Sequence, residues 1–186
     1  MAENKIAGKI QNSSEHNVAL LLENKVLVED STLKGTLVEK GFGENKGRNL
    51  ILDLFEALYL IQKDKLTLLD KKGKSVSSKK LLSLGLEDEK SFYSKFVVYS
   101  DIKEKGYCIK TGLKFGFDFR VYPKGKKMGE VHSQYGVHVS PENEKLSMTQ
   151  LSRMTRLAGN IHIKAIIAVV DREDEINYYS SDRILF

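Results

Sequence analysis

The sequence contains a single cysteine, only two prolines and no long apolar run. The lone Cys108 excludes a disulfide within the chain, and it leaves too few thiolates for a cysteine-based metal site. Its place in the alternation Tyr107-Cys108-Ile109 predicts a buried, small apolar side chain. No stretch approaches the roughly 18 apolar residues of a membrane-spanning helix, and residues 1–9 lack the apolar core of a signal peptide. We therefore expect a soluble, cytoplasmic protein that does not associate with membranes.

Positive charge, by contrast, is abundant and clustered. The 186 residues carry a formal net charge of +5, whereas residues 103–127 hold eight cations against Glu104 and Asp118, a local net charge of +6. The eight cations are Lys103, Lys105, Lys110, Lys114, Arg120, Lys124, Lys126 and Lys127. Because clustered cations attract phosphate, this segment indicates an anionic partner such as a nucleic acid.

The chain is long enough for one domain or two small ones, and 41% hydrophobic residues can form a packed core. We expect a first domain over residues 1–88 with a small sheet and covering helices. Its predicted elements are strands at 5–10, 18–22, 25–28 and 66–69, a helix over 50–63 capped by Asn49, and a helix over 78–84 capped by Ser77.

A second domain is expected over residues 89–186. A helix from Asp88 to about Lys105 opens it, and Ser147 and Gln150 form a capping box for a helix that ends at Gly159. The predicted strands are 107–110, 117–122, 131–139, 163–170, 175–179 and a short 183–185. These elements predict a mixed sheet flanked by helices, and an α+β (mixed α/β) fold for the whole chain.

Four residues of this second domain are candidates for chemistry, two of them histidines that are alternatives for one role. Tyr122 ends an alternating strand before Pro123, so its ring either packs on the following loop or serves as a base. A tyrosine with the usual pKa of about 10 is a poor base at neutral pH unless nearby cations lower that value.

His132 and His138 share the parity of one predicted strand, and the pattern alone does not choose between them as a proton donor. Lys164 enters an otherwise apolar strand, where its ammonium group either reaches solvent or binds an anionic ligand.

Several ordered motifs make the chain similar to archaeal tRNA-splicing endonuclease subunits over most of its length. The motifs are Leu54-Phe-Glu-Ala-Leu-Tyr-Leu-Ile61, Val98-Tyr-Ser-Asp-Ile-Lys-Glu-Lys-Gly-Tyr107, Lys110-Thr-Gly-Leu-Lys-Phe-Gly116, Asp118-Phe-Arg-Val-Tyr122, His132-Ser133, and Lys164 six residues before Val170-Asp171. The resemblance implies a mixed α/β N-terminal domain and a C-terminal nuclease domain similar to restriction endonucleases.

The resemblance also implies residue roles. It makes Tyr122 the general base, His132 the general acid in preference to His138, and Lys164 the group that stabilises the transition state. The residues that it implies for RNA binding are Arg156, Lys114 and Ser133.

The sequence departs from the family pattern in three places. Phe117 stands where relatives prefer a small residue, Phe115 replaces a common tyrosine, and the acidic turn over residues 171–175 lacks the usual glycine.

The activity implied by the resemblance is excision of introns from precursor tRNA at bulge-helix-bulge sites. The ribose 2′-hydroxyl would attack the phosphate without metal or cofactor, leaving 2′,3′-cyclic phosphate and 5′-hydroxyl ends. The implied assembly is a homotetramer, or alternatively a heterotetramer with a structural paralogue. The implied subunit contacts are made by Asp171, Glu173, Asp174 and Glu175 in the acidic turn and by Ile184, Leu185 and Phe186 at the C-terminus.

Two other functions fit parts of the pattern. One is a metal-dependent nuclease with Asp118 as a Mg²⁺ ligand, although no Asp/Glu-x-Lys partner follows on a predicted strand. The other is a noncatalytic RNA-binding or structural subunit, against which the presence of all three candidate catalysts argues.

Overall fold

The computed structural model describes residues 17–112 and 116–184. They form two compact units, one of residues 17–37 and Gly43–Ser78, the other of Val38–Phe42 and residues 79–184. Each unit contains a mixed sheet and helices, which confirms the predicted α+β fold. The boundary predicted after residue 88 lies ten residues beyond this division. Within the described ranges, no helix is long and apolar enough to cross a membrane.

The first unit contains a five-stranded sheet in the order β3-β4-β2-β1-β5, in which only β1 and β5 are parallel neighbours. The predicted strand at 5–10 lies outside the described residues. The elements are β1 (Val18–Leu22), β2 (Lys25–Val28), α1 (Ser31–Glu39), β3 (Glu44–Lys46), β4 (Asn49–Leu52), α2 (Leu54–Gln62) and β5 (Thr67–Leu69).

The predicted helix over 50–63 begins later than expected. Leu50 and Leu52 belong to β4 and are fully buried, because alternate residues of this strand face the core. The N-cap of α2 is Asp53 and not Asn49: Asp53 Oδ1 accepts from the Glu56 backbone N–H, and Glu56 Oε2 accepts from the Asp53 N–H. Apolar residues at 50 and 51 fit both a strand and a helix, so the cap decides the boundary.

The second unit contains a five-stranded sheet in the order β10-β9-β8-β7-β6. Its neighbours are antiparallel except for β8 and β9, which run in the same direction. The elements after Ser77 are α3 (Ser78–Asp88), α4 (Phe92–Glu104), β6 (Cys108–Thr111), β7 (Phe119–Tyr122), β8 (Tyr135–Pro141), α5 (Met148–Asn160), β9 (Lys164–Val170) and β10 (Ile176–Ser181).

Helices cover the two faces of this second sheet, as predicted. On one face Phe119, Val137 and Ile166 are register partners, and the Phe119 ring lies 6.0 Å from that of Tyr99 on α4. Adjacent strand residues point to opposite faces. The register partners Arg120, Gly136 and Ala165 therefore lie on the face that α5 covers.

Phe117 explains one departure from the family pattern. It packs with Ala165 and with Met154 and Ala158 of α5 in a buried cluster. A Cβ atom on Gly136 would lie 2.7 Å from the Phe117 ring, so the large aromatic depends on the bare glycine backbone beneath it.

Some boundaries in the second unit differ from the predictions. α3 extends to Asp88, and α4 starts only at Phe92. β8 starts at Tyr135 and not at residue 131, so His132 lies in the preceding loop. The Ser147–Gln150 capping box is present at the start of α5, which confirms that prediction. Residues 183 and 184 are not in a strand.

Candidate active site

Tyr122, His132 and Lys164 lie at the same end of the second sheet. Val121 pairs with Tyr135, and Tyr135 pairs with Lys164, so the end of β7 and the start of β9 flank the start of β8. His132 lies three residues before β8 begins. The strand register thus collects three residues that are far apart in sequence.

A cavity of about 430 Å³ opens at this end of the sheet. Its lining includes the predicted residues Tyr122, His132 and Ser133. Lys164 is not part of the lining, but it directly follows Ile163, which is, and its side chain is exposed. The structure therefore brings Tyr122 and His132 into one cavity, whereas Lys164 lies at the same end of the sheet without lining that cavity.

The cavity also contains residues that sequence reasoning did not assign to a site. Arg120 lines it from β7, on the same face of the strand as Tyr122, because the two are alternate residues of the strand. Because alternate residues of a strand share a face, the sequence already indicated that Arg120 lies on the same side as Tyr122. The loop before β8 and the turn before β9 supply Met128, Gly129, Glu130, Val131 and Ile161.

Burial dominates the electrostatics of Tyr122. The residue is 2% exposed, and this burial raises its pKa above the usual tyrosine value. The charge of Arg120, whose guanidinium carbon lies 6.0 Å from the Tyr122 ring centroid, acts in the opposite direction but does not prevail. Nearby cations therefore do not bring the pKa of Tyr122 below its usual value in this structure.

The cation cluster is dispersed because its members lie on different elements. The Lys103 ammonium lies 3.9 Å from the centroid of the Phe42 ring, and Lys105, which directly follows α4, pairs with Asp101 at 2.5 Å. Lys124 lies over the Tyr107 ring at 5.1 Å. Of the cations that the structure describes in this segment, Arg120 is the one that lines the cavity with Tyr122.

The two candidate histidines have different environments. His132 is exposed in the loop and lines the cavity. His138 lies within β8, and its Nδ1 is 3.1 Å from Asp118 Oδ2. The shared strand parity predicted for them is wrong, because the strand begins after His132. Of the two, His132 is the one that lines the cavity with Tyr122.

Asp118 belongs to a buried polar network and not to an open metal site. Its Oδ1 is 2.6 Å from the Lys95 ammonium, and its Oδ2 accepts from His138 and from the Val139 N–H. Lys95 also pairs with Glu89. Burial alone would raise the pKa of Asp118, but the hydrogen bonds from His138 and Lys95 hold it below its usual value. In the described ranges, no group of three or more His, Cys, Asp or Glu side chains is placed to hold a metal ion.

Replacing Asp118 with asparagine should lower the free energy of unfolding by about 3 kcal/mol, because it weakens a buried ion pair without removing Lys95. The pKa of Asp118 is depressed in the folded protein, so its stabilisation is present above the unfolded value of about 3.9 and is lost as the pH falls through the folded value. Urea unfolding at about pH 7 and about pH 3 measures both effects.

Asp88→Asn, at an exposed carboxylate, provides the control and should change stability by less than about 0.5 kcal/mol. A destabilisation by Asp118→Asn that is equally large at both pH values would contradict the assigned ion pair.

The three predicted RNA-binding residues have different placements. Ser133 lines the cavity and is half-buried. Arg156 is exposed on α5 and is not a lining residue, because α5 buries Met154 and Ala158 on its sheet-facing side. Lys114 lies outside the described residues, as does Phe115.

The acidic turn between β9 and β10 is held by side-chain hydrogen bonds and contains no glycine. Asp171 Oδ1 accepts from the backbone N–H groups of Glu173 and Glu175. Asp174 adopts a left-handed φ of 63°, the role that glycine has elsewhere, and its Oδ2 accepts from the Tyr93 hydroxyl at 2.6 Å. Glu173 and Glu175 remain exposed. The missing glycine therefore does not prevent the hairpin.

The predicted C-terminal contact region is only partly described. Ile184 is 74% exposed, whereas Leu185 and Phe186 lie outside the described residues. The preceding strand β10 forms an edge of its sheet, and the side chains of Tyr178 and Tyr179 are 37% and 57% exposed. An exposed strand edge of this kind is available for pairing with another chain.

Comparison with known proteins agrees with this architecture. Residues 92–178 match the family model of the tRNA intron endonuclease catalytic C-terminal domain, and residues 18–82 match that of its N-terminal domain. The predicted boundary after residue 88 lies between the two matches.

Curated relatives named tRNA-splicing endonuclease are similar over most of the chain. One from Thermococcus gammatolerans is 34% identical over 85% of this chain and 92% of its own length. One from Methanothermobacter thermautotrophicus is 35% identical over 88% of this chain and 98% of its own. One from Methanococcus vannielii is 33% identical over 87% of this chain and 91% of its own. With both domains matched in order and about a third of its residues shared across most of its length, the chain belongs to the tRNA-splicing endonuclease family.

Proposed function

We propose that this protein excises introns from precursor tRNA by a metal-independent reaction in which the substrate's own ribose supplies the nucleophile. The observation that carries the proposal is that Tyr122 and His132 line one cavity, while the rival His138 is held by Asp118. A base and an acid within reach of one bound nucleotide are what an internal phosphoryl transfer requires.

In this mechanism Tyr122 removes the proton from a ribose 2′-hydroxyl. The 2′-oxygen forms a bond to the adjacent phosphorus while the bond from phosphorus to the 5′-oxygen breaks, and His132 gives a proton to that departing oxygen. Lys164 offsets the negative charge that gathers on the phosphoryl oxygens. The products are a 2′,3′-cyclic phosphate and a 5′-hydroxyl. Each acid or base step supplies about 10²–10⁴-fold.

The raised pKa of Tyr122 has two opposing effects on the first step. Less phenolate is present at neutral pH, but the phenolate that forms is a stronger base. The reactive form, with Tyr122 as phenolate and His132 protonated, is therefore a minor species at neutral pH.

The substrate that we propose is RNA folded as a bulge-helix-bulge. The cavity of about 430 Å³ lies within the range of small-ligand sites, so it suits a single unstacked nucleotide better than a stacked helix. Single-stranded bulges present nucleotides that can leave the stack and reach in-line geometry. We place this reaction in the cytoplasm.

We further propose that the protein acts as a homotetramer, with a heterotetramer containing a structural paralogue as the alternative. An intron has two boundaries, whereas one chain carries a single Tyr122, His132 and Lys164, so two active subunits must act on one precursor. The exposed carboxylates of the acidic turn can dock on a basic surface of a neighbouring subunit, and β10 with Ile184 offers an edge for strand pairing.

Cleavage of a bulge-helix-bulge RNA by the purified protein tests the chemistry. We expect cleavage to persist in EDTA and to disappear when the ribose at the cut is 2′-deoxy, because the nucleophile is the 2′-hydroxyl. A 2′-deoxy substitution one nucleotide further from the cut serves as the matched control and should be cleaved. Activity that chelation removes and Mg²⁺ restores would overturn the mechanism and support a metal-dependent reaction.

A further inference from the structure

Two cations face each other across neighbouring strands beside the cavity. Lys110 of β6 and Arg120 of β7 are register partners, so their side chains stand on the same face of the sheet. Lys110 is 7% exposed, and Arg120 is half-buried. Two positively charged side chains on one face of the sheet add to the attraction that a nearby phosphate experiences.

Arg120 presents this charge to the cavity. It lines the same cavity as Tyr122 and His132. As alternate residues of one strand, Arg120 and Tyr122 have Cα atoms about 6.6 Å apart. Its Nη2 lies 3.8 Å from the Met128 sulfur, a weak acceptor that a phosphate oxygen can replace. The planar guanidinium group has the fork of donors that binds phosphate through two parallel hydrogen bonds.

We propose that Arg120, supported by the charge of Lys110, forms a phosphodiester-binding subsite next to Tyr122 that holds an RNA backbone phosphate adjacent to the scissile one. The subsite rests on the proposed function, because it presumes that RNA enters this cavity. It gives the site a second anchor on the backbone. With a neighbouring phosphate fixed, the ribose between the two phosphates is held against Tyr122.

RNA affinity tests the subsite without any need for cleavage. The probe is a bulge-helix-bulge RNA made uncleavable by 2′-deoxy substitution at the cut. It is prepared with all native phosphates, and as a series with one neutral methylphosphonate at each position flanking the cut. Arg120→Met should weaken binding of the native probe by roughly 10- to 100-fold, as expected for loss of a charged hydrogen-bonded pair.

At one flanking position, the neutral linkage should weaken RNA binding by the wild-type protein by a similar factor. At that position it should not weaken binding by Arg120→Met any further. At the other positions, the losses of affinity from the substitution and from the neutral linkage should multiply. Arg120→Met should also reduce the slope of log affinity against log salt by about 0.7, the value for one phosphate contact on a single strand. Lys110→Met should give a smaller loss at the same linkage. Arg48→Met makes the same charge change at an exposed arginine of the first unit and should bind like wild type.

If the affinity losses from Arg120→Met and from the neutral linkage multiply at every flanking position, the proposed subsite is wrong. If Arg120→Met fails to fold, Arg120→Lys replaces it as the test variant. Lysine keeps the charge but lacks the paired donors of the guanidinium group. The loss of RNA affinity caused by Arg120→Lys should again be absent when one particular linkage is neutral. A wild-type protein that binds the probe with the expected pattern but never cuts the cleavable RNA would contradict the proposed reaction and leave the subsite supported.

Discussion

Replacement of Glu173, Asp174 and Glu175 with lysine in one variant is expected to split a homotetramer into dimers and to abolish cleavage of precursor tRNA. The three carboxylates are exposed on the turn between β9 and β10. The variant changes the charge of this turn by six units, so attraction to a basic surface on a neighbouring subunit becomes repulsion. A dimer that cannot present its active sites at both boundaries of an intron should then be inactive.

The turn itself should survive the substitution. Asp171, which is left unchanged, accepts the backbone N–H groups of residues 173 and 175 and so fixes the hairpin. The side-chain hydrogen bond that disappears runs from the exposed Tyr93 hydroxyl to Asp174. We therefore expect an unchanged circular dichroism spectrum, which separates loss of assembly from loss of folding.

Light scattering coupled to size exclusion gives the mass of the assembly. The control is a variant in which the exposed residues Glu29, Glu39 and Glu44 are replaced with lysine. It makes the same change of six charge units at positions outside the turn. It should remain tetrameric and active. A tetramer mass that the turn variant keeps, or a wild-type protein that is monomeric, would refute the homotetramer.

Replacement of His132 with alanine is expected to slow single-turnover cleavage by at least about 10²-fold while leaving RNA affinity nearly unchanged. A general acid acts on the leaving group, and it contributes little to binding of the ground state. His132 is exposed in a loop, so its removal should also leave the free energy of unfolding nearly unchanged.

The pH dependence of the rate distinguishes this role from a structural one. Cleavage by the wild type requires the protonated form of His132 as well as the phenolate of Tyr122, so its rate should gain less from rising pH than the rate of His132→Ala. In His132→Ala only the phenolate is required, and the rate should rise with pH towards the raised pKa of Tyr122.

His138→Ala is the matched comparison. It removes a donor to buried Asp118, so its main effect should be on stability and its effect on the cleavage rate should be far milder. A larger loss of rate in His138→Ala than in His132→Ala, with folding intact, would show that the acid has been misassigned.

The sequence predicted the fold best where the signal is local. Ser147 and Gln150 satisfy each other across one helical turn, so the start of α5 could be predicted without knowledge of the rest of the chain. α1 was missed because it buries only Leu33 and Leu37, although Asp30 caps the Leu33 N–H at 2.6 Å.

The site was harder to predict from pattern alone because its residues belong to different elements. Tyr122 could be placed at a strand end through Pro123, but its burial and raised pKa depend on packing that no spacing reveals. To choose between His132 and His138, the start of β8 had to be known. Apolar Val131 led to a predicted start at residue 131, but this residue is 36% exposed and lies outside the strand. Only the family resemblance pointed to His132.

The single parallel pairing in the second sheet determines when the site is complete during synthesis. Since β9 runs alongside β8, the chain must cross back through α5 before Lys164 can reach the end of the sheet where Tyr122 and His132 lie. At about 5–20 residues per second, Lys164 is made roughly two to six seconds after His132. In the proposed mechanism, the cation that stabilises the transition state is therefore the last of the three groups to be synthesised, after the base and the acid.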